Sequence, residues 1–180
     1  MLQYRDEFAD HKIRSKFGAA LSRLCRDQGV PLIINDDPEL AAELDAAGVH
    51  LGELDPHPAQ AAEILGQHAI IGVSCYNDLQ RALKAQQQGA SYLAFGSLFR
   101  SPTKPGARQC PPDKLASFRS YCTVPIVAIG GITHQNGASV IAAGADFLAV
   151  ISDVFVAGQE LDRARKLASL FNQQDLDSDE

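Results

Sequence analysis

The sequence lacks the features that would take it out of an ordinary reducing compartment. Its four cysteines, Cys25, Cys75, Cys110 and Cys122, form no CxxC pair and lie in apolar or loop contexts, so reduced thiols are expected rather than a disulfide framework. No basic-then-apolar leader precedes the first structured residues, and no apolar run approaches the roughly 18 residues of a spanning helix. These absences point to a soluble, cytoplasmic protein without a membrane partner. Excess basic charge is also missing: 16 Lys and Arg stand against 22 Asp and Glu, a net charge of −6. Four of the acids fall in the closing DLDSDE, so the body of the chain is close to neutral and offers no basic face to a nucleic-acid backbone. No Pro-, Gly- or Ser-rich linker divides the chain. One domain over residues 1–174 is therefore expected, followed by an acidic tail over 175–180.

What the sequence does have is alternation. Seven short apolar runs recur: MLQYR (1–5), VPLII (30–34), GVHL (48–51), AIIGVS (69–74), YLAFGS (92–97), PIVAIGG (125–131) and DFLAVIS (146–152). Most lack polar alternation, as strands covered on both faces of a parallel sheet do. Helical periodicity fills the intervals at Phe17–Cys25, Pro58–Leu65, Leu79–Gln88, Pro112–Tyr121, Gln135–Ala143 and Phe155–Phe171. The pattern predicts βαβ units with right-handed crossovers, in a barrel one strand short of eight or in an open doubly wound sheet. Gly89 and Gly144, with Gly48 read the same way, mark helix-to-strand turns that use glycine for its positive φ.

Polar residues gather at the C-terminal ends of the strands, the ligand face in either fold. Asn35, Asp36 and Asp37 follow the second run and Asp55 follows the third. Such carboxylates suit a hard cation such as Mg²⁺, and they equally suit helix N-caps before Pro38 and Pro56. The Gly130-Gly131 pair before Thr133, with Ser152 after the last strand, matches the phosphate site that barrels build from their last loops; a tight turn reads the same way. In FGSLFRSPTKPG (95–106), Ser101 and Thr103 can donate to a phosphate, Lys104 adds a point charge, and two prolines stiffen the segment. Gln3, Arg5 and Ser74 add donors at the same face. His50, inside GVHL, reads as a satisfied core histidine rather than a ligand. The other histidines show no metal-ligand spacing, and no serine sits in a nucleophile elbow.

Taken in order, QYRD, IIND, GVHLGELD, IGVSCYN, FGSLFRSPTKPGA, VPIVAIGGIT and GADFLAVIS resemble the thiamine-phosphate synthase family over almost the whole chain. The resemblance implies a (β/α)₈ TIM barrel and a transferase of thiamine biosynthesis. That enzyme joins 4-amino-5-hydroxymethyl-2-methylpyrimidine diphosphate to 4-methyl-5-(2-phosphoethyl)thiazole, giving thiamine phosphate and releasing pyrophosphate. It further implies that Gln3, Arg5, Asn35, Ser74 and Lys104 hold the pyrimidine diphosphate, with Arg5, Ser74 and Lys104 in the catalytic roles. Asp36 and Asp55 would bind Mg²⁺. Ser101, Pro102, Thr103, Gly131, Ile151 and Ser152 would bind the thiazole phosphate.

Several positions depart from the family pattern. Glu7 stands where the first motif usually carries a lysine, a charge reversal that would weaken diphosphate binding unless the side chain turns away or Lys12 or Arg14 substitutes. Asp37 replaces an arginine often found after IIND, and Arg100 replaces a proline. The family also has a strand and helix ahead of QYRD, so the resemblance implies a barrel without its first unit and an unpaired parallel edge that would invite self-association. Two further readings stay open: a thiazole tautomerase, which shares the thiazole-phosphate site, and a non-catalytic protein that holds a phosphorylated ligand. Asn35, Asp36, Asp55 and Ser74, the diphosphate and metal half, favour the synthase.

Overall fold

The computed structural model describes residues 1–100, 106 and 108–172. Strand and helix alternate from β1 (Leu2–Tyr4) through α1 (His11–Asp27), β2 (Leu32–Asn35), α2 (Pro38–Glu43), β3 (Gly48–Leu51), α3 (Pro58–Leu65) and β4 (Ile70–Tyr76). Then come α4 (Leu79–Gln87), β5 (Tyr92–Phe95), α5 (Pro112–Arg119), β6 (Ile126–Ile129), α6 (Gly137–Ala142), β7 (Phe147–Ala149) and α7 (Glu160–Asn172). Strand order follows chain order, so this is a parallel α/β fold with seven parallel strands among the described residues.

The chain divides into two compact units. The first comprises Met1–Ser74 and Lys84–Tyr92. In it β1 pairs with β2, β2 with β3 and β3 with β4, all parallel. Its core is Leu32, Ile34, Leu40, Leu44, Val49, Leu51 and Ile71. Burying side chains of this size contributes roughly 1.5–3 kcal/mol each, which is why the uninterrupted apolar runs settle as strands. Helix α1 begins six residues before its apolar stripe, because the Asp10 side chain accepts the Ile13 N–H and caps it there. The short helix α2 has Pro38 in its first turn and Asp37 as its cap.

The second unit comprises Cys75–Leu83 and the described residues from Leu93 onward. Here β5 pairs with β6 and β6 with β7. Phe95, Leu115, Ile126 and Val140 are fully buried, and the Phe95 and Phe118 rings meet at 5.5 Å between centroids. Helix α7 starts at Glu160, five residues later than its apolar spacing suggests. The N–H groups of Val154 and Phe155 turn back onto the Ile151 carbonyl, which spends Phe155 in a turn.

Two further points settle locally. Gly89 and Gly144 do take positive φ, at 88° and 97°. Gly48 does not: it opens β3, and a Cβ there would fall 1.8 Å from the Ile70 carbonyl oxygen. Its glycine serves close backbone approach, and Asp45 takes the left-handed turn instead, at φ 50°. All four cysteines are buried and none is in a disulfide. No helix of the described chain is long and apolar enough to cross a membrane.

Candidate functional site

In the first unit the strand register brings the predicted residues to one level. Tyr4 pairs with Ile34, which sets Arg5 beside Asn35; Asn35 pairs with His50, and His50 with Gly72. Side chains alternate along a strand, so Gln3 and Arg5 share a face of β1, and Ser74 lies two residues beyond Gly72 on the matching face of β4. Arg5, Asn35, His50 and Ser74 thus share one face at the C-terminal ends of their strands.

The two readings of the carboxylates separate cleanly here. Asp37 is the helix cap, accepting the Leu40 N–H at 2.9 Å, and it is also paired with Arg14 at 3.1 Å. Asp36 takes no part in capping. It sits at φ 65°, an uncommon conformation for a side-chain-bearing residue, with its N–H on the His50 carbonyl at 2.8 Å. Asp55 does not cap a helix either, since α3 is capped by His57; it accepts the Gly52 N–H at 2.6 Å. The Asp36 carboxyl has the Asp55 side chain as its neighbour, within hydrogen-bonding influence. Burial, that influence and the Asp55 charge push the Asp36 carboxyl up to about 6, against the opposing charge of Arg5. A half-buried carboxyl raised by a neighbouring carboxylate marks a site where a cation can replace the proton. Among the described residues no three His, Cys, Asp or Glu side chains are arranged to hold a metal. A pair fits Mg²⁺ nonetheless, because that ion uses one or two carboxylates and completes its shell with waters and substrate phosphates.

Glu7 is ion-paired with Arg5. The charge reversal therefore does not turn away: it engages the guanidinium expected to meet the diphosphate. Arg14, one of the two candidates to offset Glu7, is held by Asp37.

His50 is a satisfied core histidine, as its strand context suggests, yet it also touches a predicted site residue. Its Nδ1 lies 2.9 Å from the Tyr92 hydroxyl and its Nε2 2.8 Å from Ser74 Oγ. Desolvation pushes its pKa down to about 4, so the ring is neutral near pH 7, and burial pushes the Tyr92 phenol up. Sequence reasoning missed Tyr92. The signal was a tyrosine, the one hydroxyl in an otherwise apolar strand, YLAF, and its partner lies 42 residues away in the chain.

The second unit holds the other predicted group. Gly130 and Gly131 take positive φ of 97° and 64° after β6. A Cβ on Gly131 would fall 2.6 Å from the Arg100 carbonyl oxygen, and one on Gly130 would fall 2.2 Å from Ser97 Oγ. The Leu98 and Phe99 N–H groups donate to the Ile129 and Gly130 carbonyls, both at 3.0 Å, so the loops after β5 and β6 are stitched by backbone. Asn136 braces the turn, accepting from the Thr133 N–H at 2.8 Å and donating to the Gly131 carbonyl at 3.0 Å. Ile151 and Ser152 are exposed after β7. Next to them buried Asp153, also unassigned from sequence, accepts from the His134 N–H at 2.7 Å, from its Nδ1 at 2.9 Å and from Arg163 at 2.8 Å. Burial would raise the Asp153 pKa, but the His134 hydrogen bonds and the Arg163 charge outweigh it and hold the group below the usual range. Ser101, Pro102, Thr103, Lys104 and the acidic tail lie outside the described residues.

The family model described as thiamine monophosphate synthase matches residues 1–154. The thiamine-phosphate synthase of Azoarcus sp. is 50% identical over 171 residues, covering 95% of this chain and 83% of the relative. That of Methylococcus capsulatus is 46% identical over 172 residues, covering 96% and 77%. Among solved structures, thiamine phosphate pyrophosphorylase from Pyrococcus furiosus superposes with a TM-score of 0.86 at 33% identity, over 95% of this chain and 82% of that one. A 3-hexulose-6-phosphate synthase from Salmonella typhimurium reaches 0.66 at 19% identity, over 87% and 80%, a likeness of fold alone.

Proposed function

The chain belongs to the thiamine monophosphate synthase family, and from that premise we propose that it condenses the pyrimidine diphosphate with the thiazole phosphate at the strand ends described above. It is a transferase of thiamine biosynthesis. Its seven β/α repeats are read as seven units of a (β/α)₈ barrel domain over residues 1–174, working in the cytoplasm.

The observation that carries the reading is the Asp36–Asp55 carboxyl pair beside Arg5. In the first unit Arg5, Asn35 and Ser74, with Gln3 one step down the same face, supply donors for the pyrimidine diphosphate. Asp36 and Asp55 would hold Mg²⁺, which when bound neutralises charge on the diphosphate oxygens. In the second unit Gly131, Ile151 and Ser152 would seat the thiazole phosphate, joined by Ser101, Pro102 and Thr103. Arg5 and Lys104 oppose the charge that builds on the diphosphate as its bond to the pyrimidine methylene carbon breaks. The thiazole nitrogen then forms the new bond to that carbon, and pyrophosphate leaves. This chemistry needs charge stabilisation and positioning rather than a nucleophilic side chain.

The Arg5–Glu7 ion pair favours one second reading, a chain that binds a phosphorylated ligand without turnover. One assay separates the two: thiamine phosphate formed from both substrates, with and without Mg²⁺. Mg²⁺-dependent product supports the synthase. Retained thiazole-phosphate binding with no product under any Mg²⁺ concentration overturns it.

A further inference from the structure

In the second unit one carboxylate joins the loops that follow β6 and β7. Asp153 accepts the His134 N–H at 2.7 Å and His134 Nδ1 at 2.9 Å through Oδ2, and Arg163 at 2.8 Å through Oδ1. Burial would raise this carboxyl, but the His134 hydrogen bonds and the Arg163 charge outweigh it, so the group is ionised near pH 7. An ionised carboxylate only accepts, and the hydrogen in the Nδ1 contact therefore belongs to the ring. That fixes the tautomer: in neutral His134, Nδ1 carries the hydrogen and Nε2 holds a lone pair. Among the described residues nothing pairs with Nε2, and the side chain is 27% exposed.

His134 follows Gly131 within one loop, and its partner Asp153 directly follows Ser152 in the other, so the pair ties together the two segments read as the seat of the thiazole phosphate. We propose that His134 is a further phosphate contact of the second unit: when the thiazole phosphate binds, Nε2 takes a proton from solvent and donates it to a phosphate oxygen. This rests on the reading of Gly131, Ile151 and Ser152 as that seat, to which it adds a charged side chain. A proton at Nε2 is attracted by Asp153 and repelled by Arg163, which holds the other oxygen of the same carboxylate. One anion shared by two cations leaves the ring short of a counter-charge, and a phosphate dianion supplies it. Asp153 also sets which nitrogen is left over for the ligand, because the hydrogen bond at one ring nitrogen decides the state of the other. A mere cross-link between the loops needs only a donor where Nδ1 stands.

The test is calorimetry of 4-methyl-5-(2-phosphoethyl)thiazole binding to the full chain near neutral pH, in two buffers of different ionisation enthalpy, with His134→Asn as the comparison. Asparagine places an amide N–H where Nδ1–H stood, so the bond to Asp153 can persist while Nε2 is gone. Wild-type binding should take up more protons than binding to His134→Asn, and the variant's Kd should be roughly tenfold or more higher, the scale of one charge-assisted hydrogen bond. Equal proton uptake and equal Kd in the two proteins overturn the proposal. Should His134→Asn not fold, nitrogen-detected NMR of the histidine-labelled wild type decides: Nε2 of His134 should gain proton occupancy as the thiazole phosphate is added, and an Nε2 that does not respond overturns it. A wild type that binds no thiazole phosphate overturns the seat itself, a result distinct from binding that ignores His134.

Discussion

The two units finish their strands with different materials. The first places side chains at the strand ends: Arg5, Asn35, Asp36, Asp55, His50 and Ser74, with His50 hydrogen bonded to Ser74 and the Asp36 carboxyl set by Asp55 and Arg5. The second relies on backbone: two left-handed glycines, cross-loop N–H to carbonyl bonds, and Asp153 fastening the loops from beneath. A site of side chains can be retuned one group at a time, as Glu7 beside Arg5 illustrates. A site of backbone has no such gradation, because a single added methyl collides with main-chain atoms that cannot move aside.

The largest effect should come from Asp55→Ala. It removes one of two carboxyls, and turnover should fall roughly 10²-fold or more, the scale of losing one preorganised charge partner, with its Mg²⁺ dependence gone. Unaltered Mg²⁺-dependent turnover would remove Asp55 from the metal site. Gly131→Ala should come next: a left-handed non-glycine costs about 1–3 kcal/mol before any collision. Calorimetry should show thiazole-phosphate binding lost and diphosphate binding kept. Loss of both would break the contrast between the units.

Asp153→Ala leaves Arg163 and His134 without their shared acceptor. We expect a lower Tm by roughly 3 °C or more and a higher KM for the thiazole phosphate alone. Glu7→Lys should lower the KM for the diphosphate substrate severalfold by freeing Arg5 and adding a cation; a KM that does not move would show that the pair lies away from the diphosphate.

The smallest effect concerns pH. Because the Asp36 carboxyl is raised to about 6 in the fold, the native state holds a proton that the unfolded state has released between pH 4 and 6. Stability owed to this group is present at low pH and is lost as pH rises through 6. Asp36→Asn should therefore match the wild type in Tm at pH 4 and exceed it at pH 7.5 in Mg²⁺-free buffer. Equal Tm at both values would dismiss the raised Asp36 carboxyl.

Much of the architecture was legible because burial on both faces leaves a local mark. All seven strands fall within or against apolar runs bounded by turn residues, and α3 begins at its first-turn proline as read. Elements set by non-local contacts were less legible. The sequence IINDDP contains two aspartates suited to capping, and only the backbone turn at Asp36 assigns the cap to Asp37 and leaves its neighbour to face Asp55. A glycine needed for close approach, Gly48, looks like one needed for a turn. His50 could be placed in the core from its strand, but its partners come from two other strands, and no window on the sequence spans that distance.

Gly72 and Tyr92 also set a rule for change. The phenol occupies the space that a side chain at 72 would take, so the two positions share a single allotment of volume. Any lineage or design that enlarges residue 72 has to shrink residue 92, and a smaller residue there carries no hydroxyl in the same place. Size at one position is thereby tied to the hydrogen bonding of a third, His50, whose Nδ1 meets the phenol.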